Sequence, residues 1–312
     1  MLKKTIKNKK KVLVTGSSGF LGSHIVDYLL ESGYNVVGFD LCQSTYKQGL
    51  IEFHKGNVLD YNAIEKAISG CDYVYHLAGV ADISEAIEFP DKAVQVNILG
   101  TQNILKAAVT NKLERFVFAS TIYVYSSLGG FYRVTKQACE KMIEEYQKVY
   151  DLNYTIVRYG SLYGARSNNF NSIRNILRQA LYKNEIIRRG DGEEIREYIN
   201  IKDAAKLSVK VLDKEFANKH IIVTGNQSMK IRELLTMIKE IFENEIKIVY
   251  EPSNELHHYQ ITPFSFRPEL AERLTPRTFI DIGQGILEVL DELRDEEYKS
   301  SENSKIGLRE KG

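Results

Sequence analysis

A tyrosine and a lysine four residues apart, Tyr132 and Lys136, have the types and spacing to do chemistry together. Side chains four positions apart share one face of a helix, so the ammonium would lie beside the phenol. A free phenol, with a pKa of about 10, is a poor base at neutral pH, but a neighbouring cation favours phenolate. The pair could then take a proton from a substrate hydroxyl while a hydride leaves the same carbon. Ordinary solvated helices also carry such pairs, so the surrounding elements must decide.

Three glycines, Gly16, Gly19 and Gly22, follow an apolar strand and open an amphipathic helix in the segment VLVTGSSGFLGSHIVDYLL. Glycine permits a tight turn and a close approach of a pyrophosphate, whose charge is met by free N–H groups and by the helix dipole. The turn residues predicted to contact a dinucleotide are Gly16, Ser18, Gly19, Phe20, Leu21 and Gly22. A chance glycine triplet in a loop is the alternative.

Asp40 closes the second predicted strand. A carboxylate at this place accepts hydrogen bonds from both ribose hydroxyls of the adenosine and repels a 2′-phosphate, which predicts NAD rather than NADP. The alternative is a strand-end turn residue without a ligand.

Alternating strands and helices in the first half predict an α/β fold, a Rossmann-type doubly wound parallel sheet whose ligands lie at the carboxyl ends of the strands. The predicted strands are 12–15, 35–39, 73–77, 115–119 and 154–158, and the predicted helices are 20–31, 60–69, 91–110 and 132–150. Tyr132 thus opens a helix that follows the strand at 115–119.

The alternation loosens after residue 160, which predicts a smaller C-terminal substrate-binding lobe. Residues 1–160 are predicted to form the NAD-binding domain, and 161–290 to form mainly the lobe, interleaved with the first domain. The lobe is predicted to contain helices at 171–183, 202–213 and 229–242, strands at 220–224 and 246–250, and a turn at 190–192. The densely charged segment 291–312 predicts a fraying last helix and a flexible, solvated tail.

Composition excludes several classes of protein. Forty-two Lys and Arg against 41 Asp and Glu give a net charge of +1, so no overall charge favours nucleic acid or an anionic membrane. Three separated cysteines without a CxxC pair predict neither disulfides nor a metal site. No apolar run is long enough for a signal peptide or a membrane span, and a cytoplasmic location is expected.

Several further motifs, together with the glycine turn, resemble those of the extended short-chain dehydrogenase/reductases, which include nucleotide-sugar epimerases and dehydratases. The likeness covers roughly residues 11–290. Its motifs are GNVLD at 56–60, HLAGV at 76–80, VNILGTQNIL at 96–105, FASTIYVY at 118–125, YRVTK at 132–136, RYGSLYGAR at 158–166 and GDGEEIREYINIKDAA at 190–205.

The resemblance implies NAD as the cofactor and adds residues that would bind it. Asn57 and the backbone of Val58 would hold the adenine. The segment from His76 through Leu77, Ala78 and Gly79 would line the pyrophosphate and the nicotinamide ribose. Asn97 would be a supporting hydrogen-bonding residue; alternatively, it caps a helix at 98–109.

With NAD bound, the positive nicotinamide ring is expected to act with Lys136 in lowering the pKa of the Tyr132 phenol. The resemblance also implies a third catalytic residue beside Tyr132 and Lys136. Aligning the VY at 124–125 places Thr121 where the family has the Ser or Thr that hydrogen-bonds the reacting sugar oxygen. The next two positions hold an acidic pair in the 4,6-dehydratases, and here they are Ile122 and Tyr123. A conventional dehydratase is therefore disfavoured, as is a decarboxylase that needs a Glu there.

The substrate residues implied by the resemblance lie beyond residue 160. Arg196 matches the arginine that clamps the substrate diphosphate; alternatively, it forms a surface ion pair with Glu193 or Glu194. The further candidates are Ser161 for the sugar, Asn169 and Arg189 for the phosphates or the base, and His257 in place of an expected second arginine. Alternatively, Arg189 is a solvated side chain, and His257 is a surface residue of a polar loop.

The implied function is NAD-dependent oxidation at C4 of a UDP- or GDP-linked hexose or heptose in surface polysaccharide biosynthesis. The 4-keto sugar is either released by a 4-dehydrogenase or re-reduced with inversion by a 4-epimerase. The alternatives are an NADP-dependent 4-keto sugar reductase and a non-catalytic NAD-binding regulator. Pairing of the 91–110 and 132–150 helices predicts a homodimer or a higher homo-oligomer.

Overall fold

Short segments rich in β-branched and aromatic residues form most of the strands of this computed structural model. The structure describes residues 9–44, 46, 51–226, 228–252, 272–276 and 278–309. Within these ranges the strands are β1 (Lys11–Thr15), β2 (Asn35–Asp40), β3 (Glu52–Lys55), β4 (Tyr73–His76), β5 (Arg115–Thr121), β6 (Tyr154–Tyr159), β7 (Ser161–Tyr163), β8 (Glu185–Arg189), β9 (Ile195–Asn200), β10 (Lys219–Val223), β11 (Ser228–Lys230), β12 (Lys247–Glu251) and β13 (Glu272–Leu274).

The α-helices of the same ranges alternate with these strands through the first half of the chain. They are α1 (Phe20–Glu31), α2 (Tyr61–Ile68), α3 (Ile83–Glu88), α4 (Pro90–Ala93), α5 (Gly100–Thr110), α6 (Gly130–Tyr150), α7 (Ser172–Lys183), α8 (Ile201–Lys210), α9 (Ile231–Ile241) and α10 (Ile282–Arg309). Two 3₁₀ turns (Ile122–Tyr125 and Lys214–Phe216) and one π-helical turn (Val94–Leu99) complete the set.

The chain divides into two compact units. The first comprises Met1–Gly160, Ala204–Thr224 and Glu255–Thr275, and the second comprises Ser161–Asp203, Gly225–Asn254 and Pro276–Gly312.

One eight-stranded sheet organises the first unit, in the order β13-β10-β6-β5-β4-β1-β2-β3. Every neighbouring pair in it is parallel. The predicted Rossmann-type doubly wound sheet is confirmed. Because the carboxyl ends of parallel strands meet at one edge, Thr15, Asp40, His76 and Thr121 end their strands on the same side of the sheet.

The core of the first unit explains why these segments are strands. Leu13, Val37, Val74 and Phe116 are fully buried, and with Ile104 of α5 they belong to one apolar cluster. A parallel sheet covered by helices needs near-continuous apolar strands of this kind.

The second unit contains two small sheets and its own core. In the first sheet, β9 pairs in parallel with β7 and antiparallel with β11; in the second, β8 and β12 are parallel. A separate apolar cluster joins side chains of α7, α9 and α10. The sequence predicted the turn at 190–192 and the strand at 246–250 but not β7, β8, β9 or β11.

The charged segment from residue 291, predicted as a fraying last helix and a solvated tail, begins within a helix whose residues Glu292, Leu293 and Glu296 are packed or paired. Helix α10 continues through Arg309, and Leu293 is buried. The backbone N–H of Arg166 donates to Glu292, and Arg174 forms an ion pair with Glu296 at 2.7 Å. The apolar stripe at Ile286, Val289, Leu290 and Leu293 explains why the charges do not prevent packing, since they occupy the other faces. None of the described helices is both long and apolar enough to cross a membrane.

Candidate active site

Two positions at the turn between β1 and α1 have room only for glycine. Gly16 has φ +71°, and a Cβ on it would lie 2.8 Å from the backbone nitrogen of Ala78. A Cβ on Gly22 would lie 1.9 Å from the carbonyl oxygen of Gly16, so helix and turn approach as closely as only glycine allows. Gly19 is exposed at the head of α1, whose first turn carries no acidic side chain. This helix end therefore fits an anion such as a pyrophosphate.

Asp40 lies where β2 ends, against the glycine turn. Its carboxylate accepts hydrogen bonds from the N–H of Ser18 at 3.0 Å and of Leu41 at 2.7 Å. The Leu41 bond is the turn role considered as the alternative. Because each carboxylate oxygen has a second lone pair, these bonds leave acceptor capacity for ribose hydroxyls. Glycine turn and carboxylate together fit a dinucleotide, which supplies a hydride acceptor when it is bound.

The predicted adenine residues lie in the turn after β3. The amide oxygen of Asn57 accepts from the N–H of Leu59 at 3.0 Å, so the exposed side chain already closes its own turn. Val58 is buried, and its carbonyl accepts from Asn103 at 3.0 Å. Both residues thus have structural contacts in addition to the predicted role.

The segment after β4 leads from the glycine turn towards Lys136. Leu77 and Ala78 are half-buried and donate their N–H groups to Thr15 at 3.2 and 3.3 Å. Gly79 is exposed, and a Cβ on it would lie 3.7 Å from the Nζ of Lys136. The Gly79 backbone therefore lies close to the lysine, and glycine is required here because a Cβ would lie 2.8 Å from the amide oxygen of Asn97.

His76 does not line the site, contrary to expectation. Its ring is buried, with Nδ1 2.8 Å from the hydroxyl of Thr15 and Nε2 3.0 Å from that of Thr101. Burial, followed by the charge of Lys136, lowers the pKa of the imidazole to about 3. The ring is therefore neutral at physiological pH and braces β1 against α5.

Asn97 is a supporting residue and does not cap a helix. It lies within the π-helical turn that joins α4 to α5, so the helix runs through it without a start at residue 98. Its amide oxygen accepts from the N–H of Val80 at 2.8 Å, and its amide nitrogen donates to Val80 and to Thr135 at 3.1 and 2.9 Å. These bonds fix the backbone next to Gly79 against α6.

Thr121, Tyr132 and Lys136 are brought together as predicted. Thr121 ends β5, and its hydroxyl hydrogen-bonds the phenol of Tyr132 on the first turn of α6. The same hydroxyl oxygen accepts from the N–H of Tyr123 at 3.2 Å. Since that bond occupies a lone pair, the Thr121 proton is available for the phenol or for a substrate oxygen.

Burial dominates the pKa values of Tyr132 and Lys136. Burial raises the pKa of Tyr132 to about 12, although the hydrogen bond from Thr121 opposes it. The Lys136 Nζ donates to the carbonyl of Ala119 at 2.8 Å and lies 6.0 Å from the centre of the Tyr132 ring. Burial lowers the pKa of Lys136 as well. The lowered phenol pKa is predicted for Lys136 together with the positive nicotinamide ring of bound NAD, so it stays a prediction for the NAD-bound protein; in the protein by itself, desolvation dominates the pKa of Tyr132.

Ile122 and Tyr123, which stand where the dehydratases carry an acidic pair, differ from each other in their surroundings. Ile122 is buried and packs against Ile222 in the core. The Tyr123 ring meets the Tyr132 ring edge to face, with centres 6.4 Å apart. A Cβ on Gly129, which has φ +97°, would lie 2.7 Å from the Tyr123 ring, so the short connection to α6 needs glycine there.

The predicted substrate residues lie in the second unit. Arg196 is buried on β9 and donates to the carbonyl of Ile195 at 3.0 Å, with further contacts of its own. Ser161 is half-buried on β7, in register with Tyr198. Asn169 is exposed and accepts from Arg178 at 2.7 Å. Arg189 is exposed at the end of β8. His257 lies outside the described residues.

The acids considered as partners of Arg196 bind other cations. Glu193 pairs with Lys230 at 2.8 Å and with Arg232 at 2.6 Å, and Glu194 pairs with Arg188. Across the described part of the chain, no three His, Cys, Asp or Glu side chains group as a metal site.

Sequence reasoning missed a buried polar group behind the trio. Glu140 of α6, Arg158 of β6 and Ser120 of β5 are buried and hydrogen-bonded together. The signal was present, because Glu140 stands four residues after Lys136 and therefore on the same helix face.

This combination of glycine turn, strand-end acid and Thr-Tyr-Lys trio defines a class of protein, and the comparisons agree with it. A model of the NAD dependent epimerase/dehydratase family matches residues 12–225. The chain therefore belongs to that family, whose cofactor is NAD.

Curated relatives and solved structures span most of the chain. A UDP-N-acetyl-alpha-D-glucosaminuronate decarboxylase of Bacillus cytotoxicus is 28% identical over 281 residues, covering 80% of this chain and 85% of the relative. A UDP-glucose 4-epimerase of Halalkalibacterium halodurans is 26% identical over 277 residues, covering 77% and 83%. The crystal structure of a UDP-glucuronic acid 4-epimerase from Bacillus cereus, in complex with UDP-glucuronic acid and NAD, superposes with TM-score 0.79 at 23% identity, covering 91% of this chain and 99% of that one. That last likeness shows a shared fold.

Proposed function

We propose that this chain oxidises the C4 hydroxyl of a UDP-linked sugar with NAD and returns the hydride with inversion, as a UDP-sugar 4-epimerase. The observation that carries the proposal is the grouping of Tyr132, Thr121 and Lys136. Thr121 hydrogen-bonds Tyr132, and the Lys136 Nζ lies 6.0 Å from the centre of the Tyr132 ring and 3.7 Å from the place of a Cβ on Gly79. The curated relatives with UDP-sugar substrates support the choice of nucleotide.

Each of these three residues has a separate role in the proposed reaction. Tyr132 would remove the proton of the C4 hydroxyl, and the hydride of the same carbon would leave to the acceptor that NAD supplies when it is bound. Thr121 donates a hydrogen bond from its hydroxyl to the sugar oxygen or to the phenolate, since accepting the N–H of Tyr123 leaves that proton unused. Lys136 stabilises the phenolate by its positive charge. Since burial disfavours the phenolate, both neighbours are needed for a base that works near neutral pH.

The residues after Thr121 favour epimerisation over elimination or decarboxylation. Ile122 is turned into the core, and the phenol of Tyr123 is the only titratable group at the two positions in question. A dehydratase must remove a C5 proton and protonate the C6 hydroxyl, which requires a separate acid and base. The 4-keto sugar is therefore the end of the chemistry that these residues support, and it is either reduced again or released.

The second unit supplies the residues proposed to hold the substrate. Arg196 offers a planar guanidinium that can donate two parallel hydrogen bonds to a diphosphate. Ser161, Asn169 and Arg189 are proposed contacts of the sugar, phosphates or base, each within or beside a strand or helix of that unit.

A homodimer is also proposed, through the surface formed by the α4–α5 helical run and α6. Val94 and Leu99 on the helical run, and Phe131 and Val134 on α6, are large apolar side chains that are more than 40% exposed. Sedimentation at micromolar concentration checks this, and a strict monomer would contradict it.

The experiment that tests the function is incubation of the protein and NAD with UDP-glucose, UDP-galactose, UDP-glucuronate and UDP-N-acetylglucosamine, with GDP-mannose as the comparison. Interconversion of C4 epimers, read by NMR of the sugar, supports the epimerase. Stoichiometric NADH with a released 4-keto sugar identifies a 4-dehydrogenase instead. Turnover of no UDP-sugar, by a protein shown to bind NAD, would exclude the proposal.

A further inference from the structure

A buried acid lies directly behind the predicted proton-transfer residues. Glu140 is 3% exposed on α6. Tyr132, Lys136 and Glu140 follow each other at four-residue steps and share one face of this helix. A carboxylate in such a place needs strong partners, because an unpaired buried charge is costly.

Those partners come from the two strands that adjoin the site. Arg158 of β6 donates from Nε to one carboxylate oxygen of Glu140 at 3.0 Å and from Nη2 to the other at 2.6 Å. Ser120 of β5 donates its hydroxyl to the same acid at 2.5 Å. Ser120 and Arg158 are directly opposite each other in the β5–β6 register, and Ser120 immediately precedes Thr121.

The Nη1 atom of Arg158, which does not bind Glu140, contacts the 3₁₀ turn that follows Thr121. This Nη1 donates to the hydroxyl of Tyr125, and the guanidinium lies 4.6 Å from the centre of that ring. Tyr125 ends the 3₁₀ turn that also carries Tyr123. One ion pair thus contacts α6, β5, β6 and this turn, which are the elements that position Thr121, Tyr132 and Lys136.

Stability alone is a weak reason for a pair of this kind. Buried ion pairs often contribute little to folding compared with apolar residues of the same volume, although removing one partner is strongly destabilising. Electrostatics supplies a second reason. Burial lowers the pKa of the Lys136 ammonium, and the coulombic interactions with Cys139 and Glu140 oppose that effect.

We propose that the Glu140–Arg158 pair is a positioning element of the reaction, which holds the Lys136 ammonium and the Thr121 hydroxyl in register with the Tyr132 phenol. This inference rests on the proposed function. Glu140 keeps Lys136 charged, so that the ammonium can stabilise the phenolate, and Arg158 neutralises Glu140 and fixes it to the sheet. The titratable and charged groups that face this region come from α6, from three strands and from the 3₁₀ turn: Tyr132, Cys139, Glu140 and Glu144 on α6, His76 on β4, Tyr154 and Arg158 on β6, His220 on β10 and Tyr125 on the 3₁₀ turn.

The test compares wild type, Glu140→Gln and the double variant Glu140→Gln/Arg158→Met. Glu145→Gln is the matched control, because Glu145 is an exposed acid of the same helix that pairs with Lys148. Two readouts are taken over a range of pH: single-turnover NADH formation with UDP-glucose, and titration of the carbon-13-labelled Lys136 side chain by NMR, assigned by its loss in Lys136→Met. Thermal unfolding reports folding separately.

We expect Glu140→Gln to move the Lys136 titration down by at least about one pH unit, a tenfold change in proton affinity. The alkaline limb of the NADH profile should move with it, because Lys136 then loses its proton earlier. In the double variant no unpaired Arg158 charge remains, so the Lys136 titration should move part of the way back towards its wild-type pH. In Glu145→Gln the Lys136 titration should match that of wild type.

An unchanged Lys136 titration and an unchanged pH profile in Glu140→Gln, with only the unfolding temperature lowered, would overturn the proposal. If Glu140→Gln does not fold, Ser120→Ala and Glu140→Asp carry the same comparison. A Lys136 shift in a protein that turns over no UDP-sugar would leave the pairing with Lys136 standing and remove the proposed function. UDP-sugar turnover without the shift would do the reverse.

Discussion

The predicted site residues lie in two regions of the chain that are built by different means. In the first unit, the carboxyl edge of the eight-stranded sheet uses backbone and buried polar groups, such as the Gly16 turn, the Asn97 amide and the Thr121 hydroxyl. In the second unit, the predicted residues lie among charged side chains that already have partners: Arg188 pairs with Glu194, and Arg178 donates to the amide oxygen of Asn169.

The site residues of the first unit are therefore held in place before a ligand binds, whereas those of the second unit can change partners when one does. Buried hydrogen bonds such as those of Asn97 are costly to leave unmade, so they hold their atoms in place before any ligand arrives. Exposed or half-exposed charge pairs are worth little and are screened by salt, so they can exchange one partner for a phosphate. Variants in the first region should therefore affect the chemical step, and variants in the second should affect substrate affinity.

The largest effect is expected for Tyr132→Phe. The substitution keeps the ring and its edge-to-face contact with Tyr123 but removes the proposed proton acceptor. Single-turnover NADH formation with UDP-glucose should fall by at least about 10², while NAD affinity changes little. In wild type the rate should rise with pH, because the raised pKa of Tyr132 leaves little phenolate at neutrality, and then fall as Lys136 loses its proton.

Tyr123→Phe is the matched control for this variant, since it removes a phenol from the adjacent ring. A rate close to wild type in Tyr132→Phe, with the same pH dependence, would mean that Tyr132 is not the base.

The two regions also differ in what the sequence could predict. The glycine turn and the strand–helix alternation are local patterns, so their spacing predicted both the turn and the parallel sheet. The neutral, buried state of His76 could not be predicted, because it depends on Thr15 and Thr101 meeting the ring from β1 and α5.

The same reason explains the misses in the second half of the chain. The strands β8 and β9 pair with distant strands, and the charged end of α10 folds because Leu293 and Arg174 give it partners far away in sequence. Local charge density at 291–312 carries no information about those partners.

The next effect concerns the second unit. Arg196→Met should raise the KM for a UDP-sugar by about tenfold or more, because a charge-assisted bidentate contact contributes roughly 1.5–3 kcal/mol. NAD affinity should not change. Arg232→Met is the control, since it removes an exposed guanidinium of the same unit that pairs with Glu193. A fall in kcat with constant KM would contradict the proposed division between the regions.

A third test uses the buried imidazole of the first unit. Since the pKa of His76 is lowered to about 3, the unfolded chain binds more protons between that value and the usual pKa of histidine. Stability is therefore present above pH 6.5 and is lost as the pH falls. His76 alone should reduce the free energy of unfolding by about 2 kcal/mol between pH 7 and pH 5.

Denaturant unfolding at the two pH values measures this loss. His76→Gln should show a smaller loss, whereas Thr101→Val, which keeps the imidazole, should show the full one. His220, whose pKa burial also lowers, contributes with the same sign in all three proteins, so the difference between variants is the measure. Equal pH dependence in wild type and His76→Gln would show that the imidazole is not buried in its neutral form.

The smallest effect is expected at Asp40, and it tests whether the strand-end acid selects the cofactor. Its carboxylate is held by the N–H groups of Ser18 and Leu41, so a 2′-phosphate on the adenosine ribose would meet a fixed negative charge. NAD should therefore bind at least about tenfold more tightly than NADP, which corresponds to roughly 1.4 kcal/mol. Asp40→Asn keeps the shape and one acceptor but removes the charge, and it should narrow the preference mainly by improving NADP binding. Titration calorimetry of cofactor-free protein with both dinucleotides measures it, and Asp60→Asn, at an exposed acid that caps α2, is the matched control. Equal affinities in wild type would show that Asp40 acts only as the turn residue that its bond to Leu41 makes it.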